Sequence, residues 1–351
     1  MGHPADRTQP SRRIVLQTLA AGAAGAAGLL PASNLSAADD RNVVRFAQQP
    51  GFLYLPVDTM ITGGLLQKAA DKAGIGKINA TTNILSSPAA VNDALLSGAA
   101  DYGTISLATF LTLWEKTRGT PNEMRALGCM ANGAMTLYTI NPNVKTLKDF
   151  TAEDKIAVPA VKLSFNSLMM QMAAEKEFND PMKFLPLEIG IGHPDAVAAM
   201  QGGYGKSSIT AHIAIQPYTA RGLRIPGAHV VTDSSKIFGG PLTQIMLIAS
   251  KKVKDKDPAL FKVVGEALEE SIKVANADKL AAARMWKEVQ KAPESIEQIM
   301  ELITDPGFEF TSKPQRIVYF AAFLNRMGRL KATVSDWKDL FWETAYNQQG
   351  S

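Results

Sequence analysis

The sequence predicts an α/β fold built as two doubly wound lobes joined by two crossing strands. Three observations carry that expectation. Between Val43 and Glu115, short apolar runs alternate with helical patterns in the order β-α-β-α-β-α, as in a parallel sheet covered on both faces. A strand that ends in a small hydroxyl residue and runs straight into a helix occurs at Ser106 and again at Ser164, and related chemistry follows at His193. Extended segments at Arg125 to Met130 and Met135 to Ile140, and a later apolar run at Gln244 to Ala249, stand where the chain would cross from one lobe to the other and back.

Val43 to Ala47 alternates into a short strand that opens into a loop running from Gln48 to Pro56. Phe52 and Tyr54 in this loop either line a ligand cleft or pack the loop onto its own lobe. After Pro56, apolar residues at Met60, Ile61, Leu65, Leu66 and Ala69 recur at helical spacing until Gly74, and Ile78 to Ile84 follows as a second strand. The stretch Ser87 to Glu115 organises the rest. Pro88 suits a first helical turn, Val91, Ala94 and Leu95 share a face, and Gly98 supplies a left-handed stop. Ala100 to Ile105 is a brief strand, and Ser106 caps a helix whose apolar stripe is Leu107, Phe110, Leu111 and Trp114. Free backbone N–H groups and a positive helix end at Ser106 suit an anionic ligand, although the same hydroxyl also serves as a plain cap.

Past the first crossing, Lys155 to Ala160 is a strand, and Val161 to Asn166 leads into a helix carrying Leu168, Met169, Met172 and Ala173. After Phe184 to Ile191, His193 opens a helix that runs to Gly202, followed by a strand at Ser208 to His212. Ser87-Pro88-x-Ala90-Val91 echoes His193-Pro194-x-Ala196-Val197, as expected if two similar lobes each lend a helix–strand pair to a shared cleft. From Pro258 onward the pattern is helical, over Pro258 to Ala277, Lys279 to Lys291, Ser295 to Thr304, Lys313 to Met327 and Ser335 to Ala345. Trp286, Phe320, Phe323, Trp337 and Phe341 belong to the core of these helices. The expected division is a first lobe of residues 39–130 and 246–351 and a second of 131–245. Hinges are expected near Cys129 to Gly133 and near Gln244 to Ile248.

Residues 1–38 carry twin arginines at Arg12 and Arg13, an Ala/Gly-rich run from Ile14 to Leu30 and small residues before a cut near Ala38. This pattern predicts a twin-arginine export signal, and the run is too short and too weakly apolar for a membrane anchor. Its removal takes away three arginines and one aspartate, which lowers the formal charge from +4 to about +2. A nearly neutral chain without Lys/Arg runs interleaved with aromatics gives no reason to expect nucleic-acid binding. The sole cysteine, Cys129, allows no intramolecular disulfide and is far from any lipid-anchor position. With 46% apolar residues the chain can build a sizeable core.

Eight runs carry a resemblance: ALLSGAADYG, FLTLWEKTRGT, NPNVKTLKDF, KIAVPAVK, QMAAEK, HPDAVAAMQGG, ITAH and WKDLFWE. They are similar to runs in periplasmic solute-binding proteins of ABC importers of the nitrate/taurine/sulfonate type, and they keep their order over nearly the whole mature chain. The resemblance implies a type II periplasmic binding-protein fold, a monomer that closes on a small solute, a permease in the inner membrane as partner, and no cofactor. It does not name the solute. Related pyrimidine-synthesising enzymes of yeast share the scaffold, so a pyrimidine or thiamine-precursor binder, or an enzyme, is the alternative reading; their cysteine-rich CCCFC-like motif has no counterpart here.

The residues themselves favour binding over catalysis. Of four histidines only His193 and His212 fall on candidate cleft loops, without an accompanying carboxylate pair or nucleophile motif, and with Asp195 they make a thin metal site. The expected ligand site gathers Gln48, Phe52, Tyr54, Thr104 and Ser106 from the first lobe with Lys162, Ser164, Asn166, His193 and His212 from the second. All lie where a strand hands over to a loop or helix. Lys162 supplies a cation for an acidic solute or else points to solvent.

Overall fold

The computed structural model describes residues 42–351, so the twin arginines and the cut near Ala38 lie outside the described residues. Strands β1 (Val43–Gln48), β2 (Asn79–Ile84), β3 (Tyr102–Ser106), β4 (Met124–Gly133), β5 (Thr136–Thr139), β6 (Ile156–Val158), β7 (Glu188–Gly190), β8 (Ala211–Ala214), β9 (His229–Asp233), β10 (Thr243–Ser250) and β11 (Phe308–Phe310) form two sheets. One has the order β11-β4-β10-β3-β1-β2, the other β7-β6-β8-β5-β9.

The two orders are the same pattern. In each, a first strand (β1 or β6) lies between the second (β2 or β7) and the third (β3 or β8), all parallel, and an antiparallel strand is inserted between the third and the fourth. The inserted strand is β5 in one sheet and β10 in the other. Each reaches its sheet directly from the opposite one: β5 follows β4 after two residues, and β10 follows β9 and the short helix Ser234–Phe238. This is the two-lobed, doubly wound α/β architecture that the alternation of strands and helices predicts. In such sheets ligands collect at the carboxyl ends of the strands, where the order reverses, here between β1 and β3 and between β6 and β8.

Local chemistry sets the helix starts. Ser87 accepts from Ala90 N–H ahead of helix Pro88–Ser97, which Gly98 ends at φ 76°. Ser106 caps helix Leu107–Thr117, and Ser164 caps helix Phe165–Phe178. The single helix expected after Pro56 is two, Leu55–Thr62 and Leu65–Lys72, because Gly63-Gly64 breaks it with Gly64 at φ 69°. Ser335 to Ala345 is not an α-helix but two 3-10 turns, Trp337–Leu340 and Glu343–Ala345. Between them Phe341 bridges to Ala126, and Trp342 N–H donates to Ala126 O at 2.8 Å. That places the segment beside the half of β4 that β11 does not cover, so backbone pairing outweighs the helical spacing.

One apolar cluster runs through both sheets and includes Phe110, Cys129, Met169, Phe320 and Phe341; another covers the opposite face of the six-stranded sheet with Phe46, Phe261 and Trp286. The five aromatics assigned to the core are all buried. Helix Ile317–Arg326 packs on helix Phe165–Phe178, with Phe320 edge-on to Phe165 at 5.0 Å and Arg326 paired to Glu175 at 2.8 Å.

Candidate functional site

Residues from the two sheets meet at a narrow crevice. Phe52, Gly133, Gln244, Asp305 and Phe308 line one side, and Ile215 with Gln216 the other. Gln216 follows β8 by two residues, and its Nε2 donates to Asp305 Oδ2 at 2.6 Å. Asp305 Oδ1 accepts from Gly307 N–H, whose carbonyl in turn accepts from Ala134 N–H at 2.7 Å. Gln244 Nε2 donates to Gly133 O at 2.5 Å, so the two crossing segments are bonded to each other beside the crevice.

On the six-stranded side, Phe52 is 4% exposed and Tyr54 8%. Phe52 stacks among Phe308, Phe310 and Trp286, with centroids 4.4, 5.6 and 6.0 Å away, and one edge of it still lines the crevice. Both aromatics therefore fasten their loop to its own lobe, and Phe52 does so while keeping one edge on the crevice. Gln48 is fully buried and donates from Nε2 to Asp58 Oδ1 at 2.7 Å, while Gln290 donates to Asp58 Oδ2 at 2.9 Å. Burial pushes the Asp58 carboxyl above its ordinary range, and the two amides pull it back. Thr104 is buried in β3, with its hydroxyl unpartnered among the described residues. Ser106 is half-buried and shares a 3.0 Å bond with Thr109 Oγ1.

On the five-stranded side, Lys162 sits at φ 69° with its side chain exposed. Its backbone does the bonding: the N–H donates to Ser167 Oγ at 2.9 Å, and the carbonyl accepts from Arg329. Ser164 Oγ–H donates to Ala160 O at 2.8 Å while capping its helix, and buried Asn166 donates to Ile213 O at 3.0 Å. His193 and His212 are brought into direct contact, Nδ1 to Nε2, at 2.8 Å. His212 lies inside β8 rather than at the end of a strand, because Ala211 to Ala214 are all buried and pair with β5. The strand therefore starts three residues later than Ser208 and ends at Ala214 rather than at His212.

Sequence reading missed Gln216, Asp305 and Tyr138. Gln216 had a signal, since it stands at another strand-to-helix passage, from β8 to helix Tyr218–Leu223. Among the described residues no group of three or more His, Cys, Asp or Glu could hold a metal ion, and no helix is long and apolar enough to cross a membrane.

No family model matches the chain, and neither does any curated protein. Solved structures do. The chain superimposes on the periplasmic aliphatic sulphonate-binding protein SsuA from Escherichia coli with a TM-score of 0.64 at 17% identity, over 88% of this chain and 99% of that one. The periplasmic nitrate-binding protein NrtA from Synechocystis PCC 6803 gives 0.66 at 14% identity, covering 87% of each chain. The alkanesulfonate-binding protein SsuA from Xanthomonas axonopodis pv. citri, bound to MOPS, gives 0.60 at 14%, over 86% and 98%. The fold is that of the periplasmic binding proteins.

Proposed function

We propose that this protein is an extracytoplasmic solute receptor, capturing a small organic anion such as a sulfonate or carboxylate between its lobes and delivering it to an ABC-importer permease. The observation that carries the reading is the duplicated sheet order, which gives each lobe its own switch point next to a serine-capped helix start, at Ser106 and at Ser164. Helix starts favour anions because their free N–H groups and dipole converge on one spot. Structural neighbours named as sulfonate- and nitrate-binding proteins support an anionic solute.

In this reading the lobes comprise 39–130 with 246–351, and 131–245, and they close about the crossings at Cys129–Gly133 and Gln244–Ile248. Lys162, Ser106, Ser164 and the His193 edge contact the anion, while Phe52 covers its apolar part. A twin-arginine leader takes the chain to the periplasm, where it acts as a monomer. The test is a thermal-shift screen of the purified protein against sulfonates, nitrate, carboxylates, and neutral and cationic controls. A solute that binds only the native state at 100 times its Kd adds about 2.7 kcal/mol of stability. Stabilisation by one class of anion is expected; a response to cations or neutral solutes alone refutes the reading.

A further inference from the structure

A buried chain of three side chains ends at His193. Tyr138 Oη lies 3.0 Å from His212 Nδ1, and His212 Nε2 lies 2.8 Å from His193 Nδ1. Tyr138 and His212 are fully buried, whereas His193 is half-buried at the first turn of helix His193–Met200. Its ring stacks on Tyr218 at 5.3 Å, two residues past crevice-lining Gln216. We propose that this chain fixes the tautomer of His193 so that Nε2–H, at its outer edge, donates a hydrogen bond to an acceptor oxygen of the bound solute.

The direction follows from counting hydrogens. A phenol has one, and among the described residues His212 Nδ1 is the acceptor within reach of Tyr138 Oη. The tip of the ring is pressed against Gly222, where an added Cβ would collide with Oη. A buried O–H without an acceptor is unfavourable, so Tyr138 donates and His212 Nδ1 accepts. The hydrogen of His212 is then on Nε2, which donates to His193 Nδ1. The hydrogen of His193 is in turn on Nε2, which has no partner among the described residues. Reversing every bond would leave the Tyr138 hydrogen stranded. Charging His193 would set its Nδ1–H against His212 Nε2–H, charging His212 would set its Nδ1–H against the Tyr138 hydroxyl hydrogen, and burial opposes both, holding His193 down to about 4 and His212 to about 3. Tyr138 and His212 are positioning residues, and His193 is the contact.

The inference rests on the receptor reading, and its test separates the two. Long-range ¹H–¹⁵N spectra of the labelled protein at neutral pH read the tautomer of each ring, and ethanesulfonate serves as the probe. Nε2–H tautomers at both His212 and His193 are expected, with a shift of His193 Nε2 when ethanesulfonate is added. In Tyr138→Phe the single tautomer should give way to a mixture, and affinity should fall about three- to tenfold while the circular dichroism spectrum is unchanged. An Nδ1–H tautomer at His193 overturns the inference whatever binds. So does a His193 signal left unmoved by ethanesulfonate that raises the melting temperature, and in that case the receptor reading stands. If ethanesulfonate changes neither, both ideas fail for sulfonates.

Discussion

Gln216 Nε2 and Asp305 Oδ2 are 2.6 Å apart, joining the loop after β8 to the turn before β11. The two residues flank strands of different sheets and face each other across the crevice. Their bond therefore stabilises the lobes in contact. Asp305 also holds its own turn through Gly307 N–H, so the turn is preformed for Gln216.

Gln216→Ala leaves that turn intact and removes the crossing bond. A hydrogen bond to a carboxylate contributes about 1.5 to 3 kcal/mol. Small-angle scattering of Gln216→Ala without solute should give a larger radius of gyration than wild type. An unchanged radius would mean that other contacts hold the lobes together.

Glu188 predicts one direction of pH dependence. Ser167 Oγ–H donates to Glu188 Oε2 at 2.6 Å, while Oε1 is buried without a partner among the described residues. Burial raises this carboxyl to about 7. The folded protein thus holds a proton that the unfolded chain has lost, and the contribution present in acid disappears as pH rises through about 7. Glu188→Gln keeps an uncharged partner for Ser167. Its melting temperature relative to wild type should increase between pH 5 and pH 8, and a decrease would refute the assignment.

His193 and His212 act with the opposite sign. Both rings are depressed in the folded state, so the unfolded chain binds more protons below its ordinary histidine value, and stability is lost as pH falls from about 6.5 toward 4. His212→Gln should be less stable than wild type at neutral pH but should lose less on acidification. Melting curves from pH 7 to pH 4 read both effects, and parallel acid losses in the two proteins would count against a neutral buried pair.

Three substitutions test the anion contacts. Ser106→Ala and Ser164→Ala each remove a cap, at about 1 kcal/mol of stability, and one candidate ligand hydroxyl. Lys162→Ala should weaken anion binding by roughly 1.5 to 3 kcal/mol without affecting the fold, since its backbone makes the structural bonds. Titration calorimetry with an anion found in the screen compares them. Wild-type affinity in all three would remove these residues from the site.

Much of the architecture was legible in local chemistry. Ser87, Pro88 and Gly98 mark a helix that spans Pro88–Ser97, and the alternation of strands and helices implies doubly wound sheets, because caps, turns and periodicity act within a few residues. The candidate site was legible only as a set of strand ends. Whether Phe52 faces solvent depends on Phe308 and Trp286, more than two hundred residues away in sequence. His212 reads as the last residue of a strand until β5 pairs with β8 and buries it mid-strand, and its tautomer is set by Tyr138, 74 residues earlier. Gln216 finds Asp305 across 89 residues. Burial and hydrogen-bond partnership belong to pairs of segments, and only the packing of the two sheets decides which segments meet.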